Sequence, residues 1–441
     1  MSTTDEAPAT PDVQYGAPAA AFRALERARP PLPRFRSPVR GPWLTSVFAA
    51  VLLVGMPVLL VTGFLSYAAY DPQFAENAFP RDPGLLRLPH FDWPTSPSWL
   101  YRVNQGVHVG LGLALVPVVL AKLWSVLPKL FQWPPARSVA QVLERVSLLL
   151  LVGSILFELV TGVFNIQYDY VWKFDFYTAH YYGAWVFLVS FALHVALKLP
   201  TMRHALRTRS LREELRVDRA HTVPEEQDGT GLVAEDPAEP TISRRGVLGL
   251  VGAGSLAVTA VSVGETLGDA VRPTALLSVR GQSYGDGPND FQVNRTAGVA
   301  GIRPDMVDGT WRLLLRGGPR EVSLSRDDLL AMEQHTAELP IACVEGWSTV
   351  QTWTGVRLRD LLALTGLDGL DSAQVRSLEP AGAFNQTTLH DGQVRADDAL
   401  LALRVNGADL SMDHGFPARV IVPALPGVRN TKWVRSIDFR A

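Results

Sequence analysis

One cysteine, Cys343, stands in a chain of 441 residues, so no intramolecular disulfide can close. A lone thiol in a segment placed outside the cytoplasm by the topology below is an oxidation liability unless it is used. It reads as a ligand or a nucleophile, against the commoner fate of a small buried hydrophobe. Net charge is also lacking: 41 basic residues stand against 43 acidic ones, which excludes nucleic acid or another polyanion as an expected partner. What the chain does hold is apolar sequence, very unevenly spread.

Four stretches, residues 43–68, 100–127, 142–166 and 179–199, can each cross the apolar core of a bilayer, which takes about 20 residues. A fifth, 246–263, is shorter and rich in Gly and Ala. Beyond it, short alternating runs broken by Gly, Pro and Asp read as a soluble, largely β domain. The expected fold is a membrane all-α four-helix unit with a fifth anchoring helix, followed by a soluble mixed α+β, β-rich domain. The boundaries are a basic tail at 1–41, the four-helix domain at 42–200, a basic then acidic linker at 201–242, the fifth helix at 243–266 and the soluble domain at 267–441.

Orientation follows from Arg and Lys. Arg23, Arg27, Arg29, Arg34, Arg36 and Arg40 precede the first span, Lys129 and Arg137 follow the second, and Lys198, Arg203, Arg207, Arg209, Arg212, Arg216 and Arg219 follow the fourth. These segments belong in the cytoplasm, and the loops 70–98 and 167–178, poorer in Arg and Lys, belong outside. Residues 223–240 are acidic, contain proline and carry few large apolar groups, which predicts a disordered linker. The run S-R-R-G-V-L-G at 243–249 resembles a twin-arginine export signal, or else is ordinary positive flanking of a membrane helix. Either reading gives a multi-pass protein of a bacterial cell membrane, with its N-terminus cytoplasmic and its C-terminal domain extracytoplasmic.

The four-span unit contains a faint repeat. L-L-V-G at 52–55 and 150–153 is followed each time by L-V-T-G, at 60–63 and 159–162. The first and third spans are thus counterparts, and so are the second and fourth, which carry His108, His180 and His194. Imidazole inside hydrocarbon is usually functional, and paired imidazoles on adjacent helices supply the two axial positions of a b-type haem. Gly106, Gly110, Gly112 and Gly183 lie close by in sequence and would let a porphyrin approach the backbone. His108 is level with His180, which gives one haem b. Fourteen residues beyond His180, a rise of about 21 Å, His194 could serve a second haem, but the residue level with it is Lys122, which is no normal haem ligand.

With these histidines the membrane part resembles the cytochrome b/b6 and b561 group of four-helix diheme carriers, which exchange electrons with membrane quinones. The resemblance implies a quinone or quinol partner. Glu158, deep in the third span, is either part of a proton path at a quinol site or one half of a local hydrogen-bonded pair.

I-A-C-V-E-G-W at 341–347, followed by T-G-V-R-L-R-D-L-L, resembles the cysteine segment of the sulfite oxidase-like molybdopterin enzymes, including the periplasmic methionine sulfoxide reductase catalytic subunit. N-G-A-D-L-S-M-D-H-G-F-P-A-R-V-I-V-P at 406–423 and G-V-R-N-T-K-W at 427–433 resemble the pterin-phosphate segment of the same family. The resemblance implies a Mo-molybdopterin cofactor with Cys343 as molybdenum ligand, a role that suits a soft thiolate. It implies that His414, Arg419, Asn430 and Lys432 anchor the cofactor phosphate, with charge-assisted bonds from the two cations. Asn289, Asn294 and Arg295, in N-D-F-Q-V-N-R-T at 289–296, occupy the place of the first cofactor-contacting segment, although the letters match neither known subgroup. Glu345 either donates a proton at the metal or orients a loop.

The expected function is a membrane-bound molybdenum oxidoreductase that couples quinone and haem b to oxygen-atom transfer on a sulfoxide or related small oxo-substrate. One alternative is a sulfite-type oxidase that sends electrons inward. Another is a haem-binding anchor whose external domain is non-catalytic.

Overall fold

A computed structural model describes residues 33–77, 84–134, 138–165, 172–227, 230–278, 280, 284–382 and 384–441. Arg23, Arg27, Arg29 and Arg137, which entered the orientation argument, lie outside the described residues, as does the end of the expected third span at 166. The apolar stretches form helices α1 (Pro42–Ala68), α2 (Leu100–Leu130), α3 (Val139–Asn165), α4 (Phe176–Thr208) and α5 (Arg244–Ala260). Proline at the first position of α1 loses nothing, because the amide missing there has no partner in a helix anyway. Among the described residues five helices are long and apolar enough to cross a membrane, the fifth span running Arg244–Leu267. Their apolar side chains stay outward: Val54 is 70% exposed, Leu143 65%, Val189 66% and Leu256 73%. Water would penalise such faces, whereas hydrocarbon would not.

Contacts divide the chain into two compact units, and α1 to α5 each contribute to both. The first unit holds residues 1–49, 120–154 and 186–248. Within it Arg244, the first of the paired arginines, is buried and donates to Val223 O at 2.9 Å and Pro38 O at 3.3 Å, beside Glu214 at 3.5 Å. Glu225 accepts from the Trp43 amide at 3.0 Å, and burial raises its pKa. The described part of the 223–240 segment is irregular and largely exposed, with Leu232, Val233 and the Glu225 side chain as its buried points. A few buried groups anchor an otherwise polar run.

The second unit holds 50–119, 155–185 and 249–441. Its β-rich part contains two five-stranded sheets. One is ordered β2 (Val322–Leu324), β1 (Leu313–Arg316), β10 (Val434–Arg440), β5 (Ser372–Ser377), β6 (Gln386–His390), with β1 and β10 parallel. The other is ordered β3 (His335–Ala342), β4 (Ser348–Arg357), β7 (Leu400–Val405), β8 (Ala408–Asp409), with β9 (Arg419–Ile421) also paired to β7. In L-L-A-L-R-V of β7 only Arg404 is exposed, as expected for a strand covered on both faces. Leu313, Val375, Leu401, Val420 and Ile437 share one core. Phe291, Ile341, Cys343, Trp347, Trp353 and Leu400 share another.

The loop after α1 is built into this same unit. Asp71, fully buried at φ +45°, pairs with Arg429, which also donates to Thr388 O at 2.6 Å and Gln393 Oε1 at 3.1 Å. Asn77 brackets Thr388, donating to its carbonyl at 2.8 Å and accepting from its amide at 2.7 Å, and Trp93 Nε1 donates to Ala424 O at 2.8 Å. Breaking a buried ion pair leaves the surviving charge unsolvated, so Asp71→Ala is expected to destabilise this unit by about 3–5 kcal/mol. Asp71→Ala combined with Arg429→Met removes both charges and should recover much of that loss. Thermal midpoints of the three proteins check it, and a double variant as unstable as the single one would refute the account.

Candidate functional site

Cys343 follows the last residue of β3, and β4 begins five residues later, so the cysteine sits on the connecting turn. The turn is tight: the Cys343 amide donates to Trp347 O at 2.9 Å and the Gly346 amide to Cys343 O at 3.1 Å. Gly346 takes φ +99°, where a side chain is strained. Glu345 bridges Arg280, at 2.8 Å to both nitrogens, and Trp347 Nε1, at 2.7 Å. Arg280 and Trp347 are donors that tie Glu345 into the turn, which favours its loop-orienting reading. Cys343 is 8% exposed, and burial together with Glu345 pushes its thiol pKa well up. The thiol keeps its proton until a cation displaces it.

The second motif lies against the first. Ala342 bridges Pro426, and Gly427 packs on Ala342 O, which brings the 427–433 run beside the cysteine. Phe291 stacks on His414 at 3.7 Å between ring centroids, and Arg419 lies over the Trp353 ring at 5.4 Å. Gly415, at φ +110°, sits where an added Cβ would meet Lys432 Cβ at 3.1 Å and Arg419 Cβ at 3.2 Å. Only glycine lets the two cations come so close to this turn.

These residues fit an anionic group. Arg419 Nε, Asn430 Nδ2 and Thr431 Oγ1 are buried with no hydrogen-bond partner, and burial works against the charges of Arg419 and Lys432. Unpaired buried donors beside buried cations carry an energetic deficit that a phosphate would relieve. His414 is held neutral, its pKa brought down to about 3 by burial and by Arg419 and Lys432, and its Nε2 bonds Asn289 O at 2.9 Å. Lys432 donates to Arg295 O at 2.8 Å and Asp413 O at 2.7 Å.

Other candidate residues are placed differently from expectation. The Asn289 amide is committed to backbone, donating to Asp409 O at 3.0 Å and accepting from the Ser411 amide at 2.8 Å. Asn430 Oδ1 accepts from the Val422 amide, so only its nitrogen remains for a ligand. Arg295 pairs with Glu379 at 2.7 Å, and Asn294 is half-buried.

Also within the second unit, His108 and His180 face each other at 6.3 Å between ring centroids. His108 Nδ1 lies 3.2 Å from Thr62 Oγ1 and 3.1 Å from Leu59 O, and His180 Nδ1 lies 3.2 Å from Thr161 Oγ1 and 3.0 Å from Glu158 Oε2. Each threonine donates its own hydrogen to the carbonyl four residues back, Thr62 to Val58 O at 2.8 Å and Thr161 to Phe157 O at 2.7 Å. The threonine oxygens can then only accept, so Nδ1 carries the proton in both rings and Nε2 keeps its lone pair. Two metal–imidazole bonds of about 2 Å, plus about 1 Å from nitrogen to ring centre on each side, add up to about 6 Å, close to the separation of the two rings.

Thr62 and Thr161 are the equivalent residues of the two L-V-T-G copies, so the repeat is the histidine holder. The glycines that meet the rings also belong to it: Cβ atoms added at Gly63 and Gly162 would come 2.9 and 3.7 Å from the Cε1 atoms of His108 and His180. Two of the expected glycines serve helix packing instead, Gly106 against Thr266 and Gly183 against Glu158 and Phe157. Glu158 takes the local-pairing alternative. In the first unit, Lys122 donates to Thr45 O at 2.9 Å and His194 is half-buried.

Sequence reasoning missed the floor under the cysteine turn. Gln105 Nε2 donates to Val344 O at 2.6 Å, Thr266 Oγ1 to Gly346 O at 2.9 Å, and Ser348 Oγ to Thr266 O at 2.6 Å. Tyr70 and Tyr177 lie beside it with hydroxyls 3.4 Å apart, and burial, Tyr177 and Cys343 all raise the Tyr70 pKa. A glutamine in an apolar helix was the available signal.

Residues 300–441 match the oxidoreductase molybdopterin binding domain family. Mitochondrial sulfite oxidase of Mus musculus is 32% identical over 172 residues, covering 31% of this chain and 30% of that protein. The uncharacterized oxidoreductase YuiH of Bacillus subtilis is 32% identical over 117 residues, covering 26% of this chain and 58% of that protein. Nitrate reductase [NAD(P)H] of Hordeum vulgare is 38% identical over 101 residues, 21% of this chain and 11% of that protein. The chain thus spans less than two thirds of each of these relatives. Residues 300–441 are thus similar to a molybdopterin binding domain of the kind found in sulfite oxidases.

Proposed function

We propose that the chain is a membrane-bound molybdenum oxidoreductase in which a haem b, held by His108 and His180, exchanges electrons with membrane quinone and with a molybdopterin site at Cys343. The observation that carries this reading is the matched pair of imidazoles, each fixed as the Nδ1–H tautomer by the threonine of a repeated motif, in the same unit as the cysteine turn. A second-partner hydrogen bond of this kind is what metal-ligating histidines characteristically have.

The cofactor supplies two-electron oxygen-atom transfer at molybdenum when bound. Cys343 would hold the metal through Sγ, its thiol proton passing to solvent on ligation, and its turn fixes where that sulfur stands. Arg419, Asn430 and Thr431 would hold the phosphate end through buried donors that otherwise lack partners, with the Lys432 cation beside them. Glu345 and Arg280, bound to each other, keep the turn from relaxing. Haem b supplies one-electron transfer, and Glu158 and Thr161 orient His180 toward it. The substrate is a sulfoxide or related oxo-compound, reduced outside the cytoplasm. The five candidate spans among the described residues support that side, because with a basic, cytoplasmic N-terminus they set the C-terminal domain outside.

The names of the relatives favour a second reading in the opposite direction, sulfite oxidation, while nitrate reductase stands among them as well. Metal analysis and a substrate screen decide between them. The purified chain is expected to hold molybdenum and a b-type haem, and sulfoxides or N-oxides should oxidise the dithionite-reduced haem. Reduction of the oxidised haem by sulfite would replace this reading with the oxidase, and a chain without molybdenum would leave only a binding domain.

A further inference from the structure

The cysteine turn is held from below by the residues that neighbour the histidine pair. Gln105 stands three residues before His108 on α2, one helical turn or about 5 Å along the axis. It is 3% exposed, and its amide is satisfied at both ends: Nε2 donates to Val344 O at 2.6 Å, and Oε1 accepts from Ser66 Oγ at 2.7 Å. On the other side of His108, Val109 packs under Gly346, where an added Cβ would meet Val109 Cγ1 at 2.8 Å. Residues on both sides of His108 in the chain therefore touch the turn that carries Cys343. An apolar residue at 105 would suit a mere membrane span better, since a buried amide is costly unless fully bonded. Here it is bonded, and one of its bonds goes to the peptide that follows the cysteine.

We propose that Gln105 bridges an electron-transfer unit contained in one chain, linking the His108/His180 centre to the Cys343 centre with no diffusible carrier between them. The inference rests on the haem and molybdenum reading above and deepens it by naming the route. Electrons cross singly. Ferrous haem iron becomes ferric as molybdenum falls by one oxidation state, and two crossings deliver the two electrons that quinol gives up on becoming quinone with release of two protons. In the oxidase direction the same route runs backwards. Gln105 acts by position: it holds the Val344 peptide one hydrogen bond from the helix that carries the haem ligand.

The test uses the full-length chain in detergent, first assayed for haem and molybdenum. Haem is then photoreduced by a flash in the absence of substrate, and its reoxidation is followed together with growth of the Mo(V) electron paramagnetic resonance signal. Gln105→Leu should keep haem content, molybdenum content and haem midpoint potential, while the transfer rate falls by about tenfold or more, the scale on which a lost positioning contact is felt. Gln105→Met, nearly isosteric and unable to hydrogen-bond in the same way, should behave alike. An unchanged rate in loaded Gln105→Leu overturns the inference alone. So does a wild-type chain, loaded with both centres, whose haem is reoxidised only after a soluble carrier is added. If both variants lose a cofactor, the residue is structural and the bridging role is overturned. A wild-type chain without haem overturns the underlying reading, and the inference with it.

Discussion

Cys343→Ser is expected to abolish turnover while leaving the fold and the haem content essentially unchanged. The cysteine packs in a core with Phe291, Trp347 and Trp353, and exchange of sulfur for oxygen changes little in volume. As a purely structural residue it would lose about 1–3 kcal/mol on gaining a buried hydroxyl, and activity would fall only with the folded fraction. As the molybdenum ligand its effect is of another kind. A serine oxygen is harder than a thiolate and does not give the metal the same electron density, so each folded molecule becomes inactive. The measurement is substrate-driven change of haem absorbance per folded chain, with molybdenum content and thermal midpoint alongside. Near-normal activity per folded molecule would remove the ligand role and most of the functional reading.

The parts legible in the sequence were those with local signatures. Apolar length gave the five spans to within a few residues at most ends, and the widest difference, α4 running on to Thr208, comes from a basic amphipathic extension that hydropathy does not count. The two motifs around Cys343 and His414 were legible because each keeps its chemistry within a short run. The repeat was legible as a pattern, yet its purpose was not. That Thr62 and Thr161 hold the imidazoles, and that Gly63 and Gly162 pack against them, depends on how neighbouring helices pack.

What stayed hidden joins distant segments through residues of ordinary local context. Asp71 and Arg429 are 358 positions apart, and neither carries a mark that predicts the other. Gln105 and Val344 are 239 apart. Arg280, which secures Glu345, lies ahead of the molybdopterin-like runs, in no motif of its own. Asn289 stood out by its place ahead of the motifs, but its amide bonds to the backbone of Asp409 and Ser411 carry no local mark. Side-chain chemistry predicts what a residue can bind, whereas the fold decides which partner reaches it first.

His108→Ala and His180→Ala are each expected to remove the same haem completely. A porphyrin iron held by two imidazoles loses its low-spin b-type spectrum when either leaves, and no other side chain of the site is placed to replace it: Thr62 and Thr161 are committed to helix carbonyls, and Glu158 to His180. The two variants should therefore match in haem content, not differ by half. Thr161→Val is the graded companion. It keeps the ligand and removes one of the two groups that fix its tautomer, which in metal sites costs about 10–100-fold in affinity, so haem should be present after purification but easily lost. His194→Ala separates one haem from two. It should leave haem content unchanged if the Lys122 that stands level with it, donating to Thr45 O, marks a position without a second ligand. Reduced-minus-oxidised spectra and haem-to-protein ratios of the four variants give the answer, and full haem in His108→Ala would break the pairing on which the membrane half of the mechanism stands.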